Sequence, residues 1–334
     1  MSAERRSVTR NDVARQAGVS TAVVSYVVNN GPKTVAPETA ARVRRAIELL
    51  DYRPNPSAKA LRKGSTDIIG LVLSDADNPF YSEFASAIAA EAFRRGRALM
   101  IGSARHDLQT EHRLVEDLLS RQVDGVIAAS ISPHPEETYR RSFGTPPVVL
   151  LDASSRMPGF AAVGNDGNQG ARDAVDHLLR VHGHRRVGLA VGDWNGVDPR
   201  ESGWRQALRE AGLAEGPLAR VTWTRDGGYE AGRLLLDVDE PPTAVFACSD
   251  LLAVGILRAA HERGIDVPGQ LAVVSFDGTK EAEYSWPPLT SVAQPIAQMA
   301  EAAVSFVLDP RSPAPFAQFP CTLVVRRSCG CSAA

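Results

Sequence analysis

Residues 11–29, NDVARQAGVSTAVVSYVVN, hold two short helical patterns with almost nothing between them. Thr9 begins a T-x-x-D capping box, so the first helix should start just after it. Gly18 stands where a helix can end on a residue with positive φ, and Ser20 is a good N-cap for a second helix over residues 21–29. We therefore predict two helices joined by a tight turn, which is a helix-turn-helix.

The second helix has two different faces. Val24, Val27 and Val28 recur at the spacing of a buried stripe, which anchors the helix despite the poor helix propensity of valine. The opposite face holds Thr21, Ala22, Ser25, Tyr26 and Asn29. In a helix-turn-helix the second helix enters the major groove of DNA, so this opposite face is expected to meet the bases.

A third helix is predicted from Pro37 to Leu50, because proline favours the first helical position. Its apolar residues would close a three-helix core against the first two helices. They are Val43, Ala46, Ile47 and Leu50.

The charge of the chain is distributed unevenly. The net charge is −2 over 334 residues, yet residues 1–63 hold twelve Lys and Arg against five Asp and Glu, which is +7 and leaves −9 for the rest. This asymmetry indicates that only the head meets a polyanion. No apolar run approaches the ~20 residues of a membrane span, and the N-terminus lacks the apolar core of a signal peptide. We therefore expect a cytoplasmic, nucleoid-associated protein.

The cysteines and some of the histidines are possible metal ligands. The four cysteines lack the spacing of a disulfide framework. The C-G-C at residues 329–331 could bind a metal, and so could His182 and His184, but neither pair has a clear further ligand in the sequence. We expect an inert terminal pair, no metal and no cofactor.

The body, residues 66–330, alternates short apolar runs with helical stretches. Examples of the runs are DIIGLVL, GVIAAS, RVGLAV, AVFACS and LAVVSFD. This repeating β-α pattern predicts parallel sheets that are covered by helices on both faces. The body is too long for one core, so two Rossmann-like α/β subdomains are expected.

Nearly the whole chain resembles the lactose-repressor/purine-repressor (LacI/GalR) family of bacterial transcription regulators. In the head the resemblance rests on D-V-A-x-x-A-G-V-S, V-x-x-V-x-N, P-E-T and Y-x-P-N, and in the body on IGLVLSDADNPFYSEF, VVSFDG and PPLTSVAQP. It implies a body related in fold to periplasmic sugar-binding proteins, in which the chain crosses between subdomains near residues 162, 291 and 318. The implied domains are a helix-turn-helix head (1–53), a hinge helix or linker (54–65), and an effector-binding and dimerisation domain (66–330). Within the last domain, the N-subdomain comprises about 66–162 and 291–318, and the C-subdomain comprises about 163–290 and 319–330.

Two positions in the head depart from the family's pattern. Ala36 stands where relatives often have a serine before the Pro-Glu of helix three, and alanine caps poorly. Tyr26 stands where relatives often carry an arginine that takes two acceptors of guanine. We expect Tyr26, together with the short-reaching Thr21 and Ala22, to contact bases through hydroxyls and thymine methyl groups. Contact of Tyr26 with the phosphate backbone is the alternative.

The hinge is short, basic and bounded by proline and glycine. It is too short to stay helical alone, so a plain linker is one interpretation. The resemblance implies instead that two hinge helices pair in the minor groove, where Leu61 wedges between base pairs and Ala58 allows close approach. The expected DNA-binding residues are Thr9, Ser20, Thr21, Ala22, Ser25, Tyr26, Asn29, Asn55, Ala58 and Leu61.

Ligands of parallel α/β sheets bind beyond the carboxyl ends of the strands, which places an effector in the cleft between the subdomains. The resemblance implies effector contacts by Phe80, Tyr81, Asp166, Arg200, Trp223, Ser249 and Asp277. Arg200 and Asp277 are the firmest candidates, because a buried charge needs a partner and an effector would supply one. Capping of the next helix is the alternative for Asp166. Aromatic faces with a charged pair suit a sugar, although a nucleobase or a glycoside also fits.

These features together predict a homodimeric, effector-controlled repressor of a palindromic DNA operator. No tetramer is expected, because no heptad helix follows the body. A cytoplasmic solute-binding protein and an α/β enzyme are the alternatives. The glycines of GNDGNQG are spaced G-x-x-G-x-x-G, which is not the dinucleotide fingerprint, and the sequence has neither a P-loop nor G-x-S-x-G, so an enzyme is disfavoured. Whether the effector lowers or raises DNA affinity stays open.

Overall fold

A computed structural model of the chain describes residues 8–29, 34–53, 60, 64–132, 135, 139, 147–153, 155–193, 197–310 and 314–332. Two compact units are present, a head within Met1–Thr66 and a body within Asp67–Ala334. Each unit has its own hydrophobic clusters, as two independently folding domains require.

The head contains the three predicted helices. They are α1 (Arg10–Ala17), α2 (Thr21–Asn29) and α3 (Pro37–Leu49). Thr9 and Asp12 form the capping box, and Gly18 ends α1 at φ 65°, so both predictions about the turn are confirmed. The third helix is one residue shorter than predicted, because Leu50 serves as its C-cap. Ala36 makes no side-chain cap, as expected of alanine.

The core of the head draws on all three helices. Its buried members are Val13, Ala14, Ala17, Val24, Val43, Ala46 and Tyr52. Val27, Val28, Ile47 and Leu50 pack at its edge and are only partly buried. Tyr52 was not predicted as a core residue. It is buried because the chain turns back after α3, where its N–H donates to the carbonyl of Ile47 at 3.0 Å.

The described residues of the body form two six-stranded sheets and their covering helices. The strands are β1 (Ile68–Leu73), β2 (Ala98–Ser103), β3 (Gly125–Ala128), β4 (Val148–Leu151), β5 (Ala161–Asn165), β6 (Val187–Gly192), β7 (Leu218–Val221), β8 (Ala244–Ala247), β9 (Ala272–Asp277), β10 (Thr290–Ala293), β11 (Phe316–Phe319) and β12 (Thr322–Val324). The helices are α4 (Pro79–Arg94), α5 (Leu108–Ser120), α6 (Gly167–Arg180), α7 (Pro199–Glu210), α8 (Arg225–Leu236), α9 (Asp250–Glu262), α10 (Lys280–Tyr284) and α11 (Ile296–Leu308).

The strand order is β11-β5-β4-β3-β1-β2 in the first sheet and β12-β10-β9-β8-β6-β7 in the second. The first sheet is wholly parallel. The second is parallel except for β12, which pairs antiparallel with β10 and corrects the prediction of purely parallel sheets. The two-subdomain α/β architecture itself is confirmed.

The inner strands of each sheet are buried on both faces, which explains their continuous apolar runs in the sequence. In β1, Leu71 and Leu73 face one core and Val72 faces another. In β9, Phe276 and Val273 likewise belong to different cores. This alternation follows from the two-residue period of a strand.

The chain passes between the two sheets three times. It leaves the first sheet after β5, returns after β10, and leaves again after β11. The crossings therefore lie after Asn165, Ala293 and Phe319, up to three residues beyond the predicted positions. The second crossing is displaced because β10 pairs with β9 and β12, so its residues belong to the second sheet. No helix in the described parts of the chain is long and apolar enough to cross a membrane.

Candidate functional site

The carboxyl ends of the strands bring charged side chains of both subdomains together. Asp152 follows β4 of the first sheet, whereas Asp277 ends β9 of the second. Asp198 and Arg200 stand at the start of α7, which follows β6. Arg200 is close enough to interact electrostatically with Asp152, Asp198 and Asp277. These four residues therefore define a charged cleft between the subdomains.

Arg200 has a partner within the chain. Its Nε and Nη2 donate to the two carboxylate oxygens of Asp198 at 2.8 and 2.7 Å, and its Nη1 donates to the carbonyl of Cys248 at 2.7 Å. Burial would raise the pKa of Asp198, but the charge and hydrogen bonds of Arg200 outweigh it and lower that pKa. Contrary to the prediction, Arg200 does not need an effector as the partner of its buried charge. Asp198, missed in the sequence, balances the buried charge before any ligand arrives.

Aromatic rings hold Arg200 in place. Its guanidinium carbon lies 4.7 Å from the ring centroid of Trp223 and 5.4 Å from that of Phe276. The Trp223 ring also lies against Gly192, where an added Cβ would come within 1.9 Å of a ring atom. Trp223 thus supports Arg200, and stacking of Trp223 on an effector stays a prediction.

Two carboxylates complete the cleft. The hydroxyl of Tyr81 donates to Asp152 at 2.8 Å, and the side-chain amide of Gln294 donates to Asp277 at 2.8 Å. Both aspartates have positive φ, 56° at Asp152 and 112° at Asp277. Such backbone conformations are costly for a non-glycine residue, particularly at Asp277, and they concentrate at functional sites.

The pKa of each of these carboxyls is raised. For Asp277 the causes are burial and then the nearby charge of Asp250. Asp152 is exposed, but the surrounding residues partly desolvate its carboxyl group and raise its pKa. The hydrogen bond from Tyr81 and the charge of Arg200 lower that pKa and only partly offset the rise. Ligand hydroxyls that donate to these two carboxylates would replace the solvation that they have lost.

The cleft is connected to the crossing segments. Asn165 donates its side-chain amide to Gln294 at 2.7 Å, and Gln294 in turn donates to Asp277. Asp166 caps α6 by accepting from the N–H of Gln169 at 3.0 Å, which is the alternative considered for it. Asn165 and Gln294 were missed, and their only signal in the sequence is their place next to two crossings.

Two predicted effector residues, Phe80 and Ser249, are buried and have structural roles. Phe80 is 3% exposed and packs on Tyr81 and Phe84 with ring centroids 5.1 and 5.7 Å away. Ser249 is 2% exposed, and its hydroxyl caps α9 by accepting from the N–H of Leu252 at 3.1 Å. Neither side chain stands open in the cleft, contrary to what the resemblance implied.

A buried acid that was not predicted organises the loop after β9. Asp250 accepts hydrogen bonds from the hydroxyls of Ser275, Ser291 and Thr279 and from the N–H of Thr279, at 2.5 to 2.8 Å. These bonds fix the segment that carries Asp277. Asp250 is therefore a positioning residue, and burial raises its pKa despite these donors.

One contact spans the rim of the cleft. Glu83 of α4, in the first subdomain, accepts from the N–H of Lys280, the first residue of α10, at 2.9 Å. Thr279 makes no side-chain cap for that helix, so Glu83 takes the capping role from the opposite subdomain. This bond favours the subdomain arrangement in which it forms.

In the head, Thr21 and Ala22 are exposed, and Ser25 and Tyr26 are half-buried. The hydroxyl of Ser20 accepts from the N–H of Val23 at 3.4 Å, which confirms its capping role. Thr9 donates its hydroxyl to Asp12 at 2.6 Å. The side chain of Asn29 and the residues Asn55, Ala58 and Leu61 lie outside the described residues, so their expected DNA contacts stay predictions.

Contrary to the prediction from the sequence, the C-G-C segment has further candidate metal ligands beside it. His177 and His182 lie beside Cys329 and Cys331, so both the cysteine pair and His182 have further ligands nearby. His184 does not belong to this group, and its Nδ1 lies 2.9 Å from the hydroxyl of Thr243. The sequence did not reveal the cluster because its members are far apart along the chain.

Two family models match the chain. One, described as bacterial regulatory proteins of the lacI family, matches residues 9–55. The other, described as a periplasmic binding protein-like domain, matches residues 175–329. These two matches correspond to the helix-turn-helix head and to the second subdomain with its cleft residues.

The chain is similar to known regulators over most of its length. Catabolite control protein A of Priestia megaterium is 35% identical over 297 residues, which is 87% of this chain and 88% of that protein. The lac repressor dimer bound to operator and to the anti-inducer ONPF matches with a TM-score of 0.87 and 26% identity, over 97% of this chain and 99% of that one. A complex of the transcriptional regulator CelR with cellobiose matches with a TM-score of 0.71 and 30% identity, over 96% and 99%.

Proposed function

Because this chain belongs to the lacI family of bacterial regulatory proteins, we propose that it is a cytoplasmic repressor that binds a palindromic operator as a homodimer. Its body binds a neutral sugar in the cleft, and the sugar changes the affinity of the heads for DNA. The role is one of binding alone, with no catalytic step and no cofactor in it.

The observation that carries the choice of ligand is the internal pairing of Arg200 with Asp198. Because that pair is balanced, Asp152 and Asp277 dominate the charge that the described cleft residues offer a ligand. An anionic ligand would meet two carboxylates and a cation that is already engaged. Sugar hydroxyls would instead donate charge-assisted hydrogen bonds to the carboxylates, each contributing about 1.5–3 kcal/mol.

DNA is bound by the head and the hinge. The exposed Thr21 and Ala22 and the half-buried Tyr26 lie on α2, the helix that a helix-turn-helix places in the major groove. Asn55, Ala58 and Leu61 are assigned to the hinge in the minor groove. The positive charge of residues 1–63 supplies the attraction to the phosphate backbone.

The homodimer brings two heads to the two halves of the palindrome. The lac repressor is a dimer in the structure matched above. On the present chain Tyr284 and Trp286 are 80% and 84% exposed, although each is a large aromatic residue. Exposed aromatic side chains of this kind mark interaction surfaces, and we assign this pair to the contact between the two copies.

Coupling between sugar and DNA runs through the subdomain angle. A sugar that contacts Asp277 acts on Gln294 and Asn165, the residues that join two of the crossings. The sugar binds one of two subdomain arrangements more tightly than the other and so shifts the equilibrium toward it. This shift changes the distance between the hinges of the two copies.

The test combines a ligand screen with selected DNA. Neutral sugars, nucleosides and sugar phosphates are screened by thermal shift on the wild type, on Asp277→Asn and on Asp226→Asn, an exposed acid that serves as the control. A duplex enriched from a random pool by the protein then serves as the operator. We expect a palindromic consensus, a neutral sugar hit that Asp277→Asn loses and Asp226→Asn keeps, and a change in operator affinity with that sugar. A sugar phosphate as the best ligand, or a hit that survives Asp277→Asn, would discredit the proposed site.

A further inference from the structure

Two histidines and two cysteines meet at one end of the second subdomain, away from the cleft. His177 lies in the last turn of α6 and His182 follows that helix. Cys329 and Cys331 lie in the segment after β12, on either side of Gly330. The four candidate ligand atoms, one from each side chain, all lie within 4.8 Å of one another.

The separations match the edges of a metal-centred tetrahedron. His177 Nε2 lies 3.2 Å from His182 Nε2, 3.4 Å from Cys329 Sγ and 3.6 Å from Cys331 Sγ, and His182 Nε2 lies 3.3 Å from Cys331 Sγ. Tetrahedral zinc, with bonds of about 2.3 Å to sulfur and about 2.05 Å to nitrogen, separates two nitrogens by about 3.3 Å and a nitrogen from a sulfur by about 3.6 Å. The side chains are therefore already arranged as four ligands around one centre.

The surroundings support the ligands from outside. The hydroxyl of Thr290 donates to Cys329 Sγ at 3.1 Å, and the N–H of Arg326 donates to that hydroxyl's oxygen at 2.8 Å. Hydrogen bonds of this kind orient metal ligands and tune their basicity. Gly330 has φ 105°, which lets the chain turn between the two cysteines. The carboxyl end of α6, with its partial negative charge, also favours a cation.

We propose that His177, His182, Cys329 and Cys331 bind one Zn²⁺ in a closed, structural site. Imidazole nitrogen and thiolate sulfur are the ligands that zinc prefers, and two of each complete a tetrahedron. Each cysteine thiol releases its proton on binding, so two protons leave and two thiolates balance the charge of the ion.

The metal would clip the segment after β12 to the end of α6. The site lies at the opposite end of the second sheet from the cleft, because Thr290 begins β10 whereas Asp277 ends β9. All four coordination positions are filled by protein, which is typical of structural zinc and leaves no open position for a substrate.

The proposal is tested on the full chain, purified under reducing conditions and stripped with a chelator. Zn²⁺ alone is titrated with a thermal-shift readout, and Co²⁺ is titrated as an absorption probe of tetrahedral thiolate coordination. The variants are Cys331→Ser and His182→Gln. His184→Gln is the matched control, because His184 lies two residues from His182 but outside the cluster. Circular dichroism confirms that each variant is folded.

We expect one metal per chain, the Co²⁺ thiolate band, and a rise in Tm of about 5 °C or more with excess Zn²⁺. Cys331→Ser and His182→Gln should weaken Zn²⁺ binding by at least about a hundredfold, whereas His184→Gln should leave it unchanged. A reduced wild type that takes up no Zn²⁺ in the titration and gives no Co²⁺ band would overturn the proposal. Equal binding by wild type and Cys331→Ser would overturn it as well.

Discussion

Replacing Asp198 by Asn should destabilise the body, because it removes the carboxylate that is hydrogen-bonded to the Arg200 guanidinium. Two hydrogen bonds, at 2.8 and 2.7 Å, join the guanidinium to the carboxylate, and the N–H of Arg200 donates a third at 2.8 Å. Breaking one side of a buried ion pair costs about 3–5 kcal/mol. The side chain of Arg200 is 21% exposed and keeps its bond to the carbonyl of Cys248, so we place the loss somewhat below that range, at about 2–4 kcal/mol.

A double-mutant cycle isolates the pair from the other effects of each substitution. Arg200→Gln removes the cation, and the double variant Asp198→Asn/Arg200→Gln removes both charges at once. The double variant should be less destabilised than the sum of the two single variants by about 2 kcal/mol, because neither charge is then left buried alone.

Urea unfolding at pH 7, followed by tryptophan fluorescence, measures these differences. All four tryptophans lie between residues 194 and 286, so the signal reports on the body and not on the head. Asp226→Asn, at an exposed position, is the control and should stay within about 0.5 kcal/mol of wild type. A loss below about 0.5 kcal/mol for Asp198→Asn, or strict additivity in the cycle, would refute the reasoning. Arg200 would then be free to bind an anionic effector, and the preference for a neutral sugar would lose its basis.

Substitutions at four further positions test other parts of the molecule. Burial raises the pKa of Asp277 above the ~3.9 of an unfolded chain, so folding binds a proton and stability falls as the pH rises from about 4; Asp277→Asn should flatten this slope in urea unfolding, and an unchanged slope would contradict it. On a panel of operator sequences, Tyr26→Phe should relax the base preference and Tyr26→Arg should alter it. A base preference unchanged from wild type in both variants would exclude base contact by Tyr26. Glu83→Ala removes the bond to Lys280 across the cleft and should weaken sugar affinity about threefold in calorimetry; no change would mean that the bond does not bias the subdomains. Trp286→Glu should shift the protein toward monomer in sedimentation and lower operator affinity, whereas an intact dimer would place the interface elsewhere.

The head could be predicted from the sequence almost completely, because its signals are local. The capping box of Thr9 and the left-handed turn at Gly18 each depend on residues within a few positions. The valine stripe of α2 follows from helical spacing alone. Tyr52 could not be predicted as a core residue, because its burial depends on how the chain turns back after α3. Hydrophobic periodicity carries no information about that turn.

The cleft was only partly predictable, because its partners come from distant segments. Ligands bind beyond the carboxyl ends of parallel strands, and this rule predicted Asp277 at the end of VVSFD. The same rule, applied to the run PVVLLD, would have predicted Asp152. Its contact with Tyr81 spans 71 positions, and that of Asn165 with Gln294 spans 129. Such pairs become visible only when the sheets are assembled.

Helix α6 links the two ends of the second subdomain. Its first turn is capped by Asp166 beside the first crossing, and its last turn carries His177. A metal at His177 would fix the far end of the helix to the rest of the subdomain and leave the crossing end unaffected. Rotation between the subdomains would then be confined to the crossing segments, because the helix and its sheet would move as one body. The cleft can change angle only if each subdomain keeps its shape, and a clip at the far end supports that rigidity without contacting a ligand.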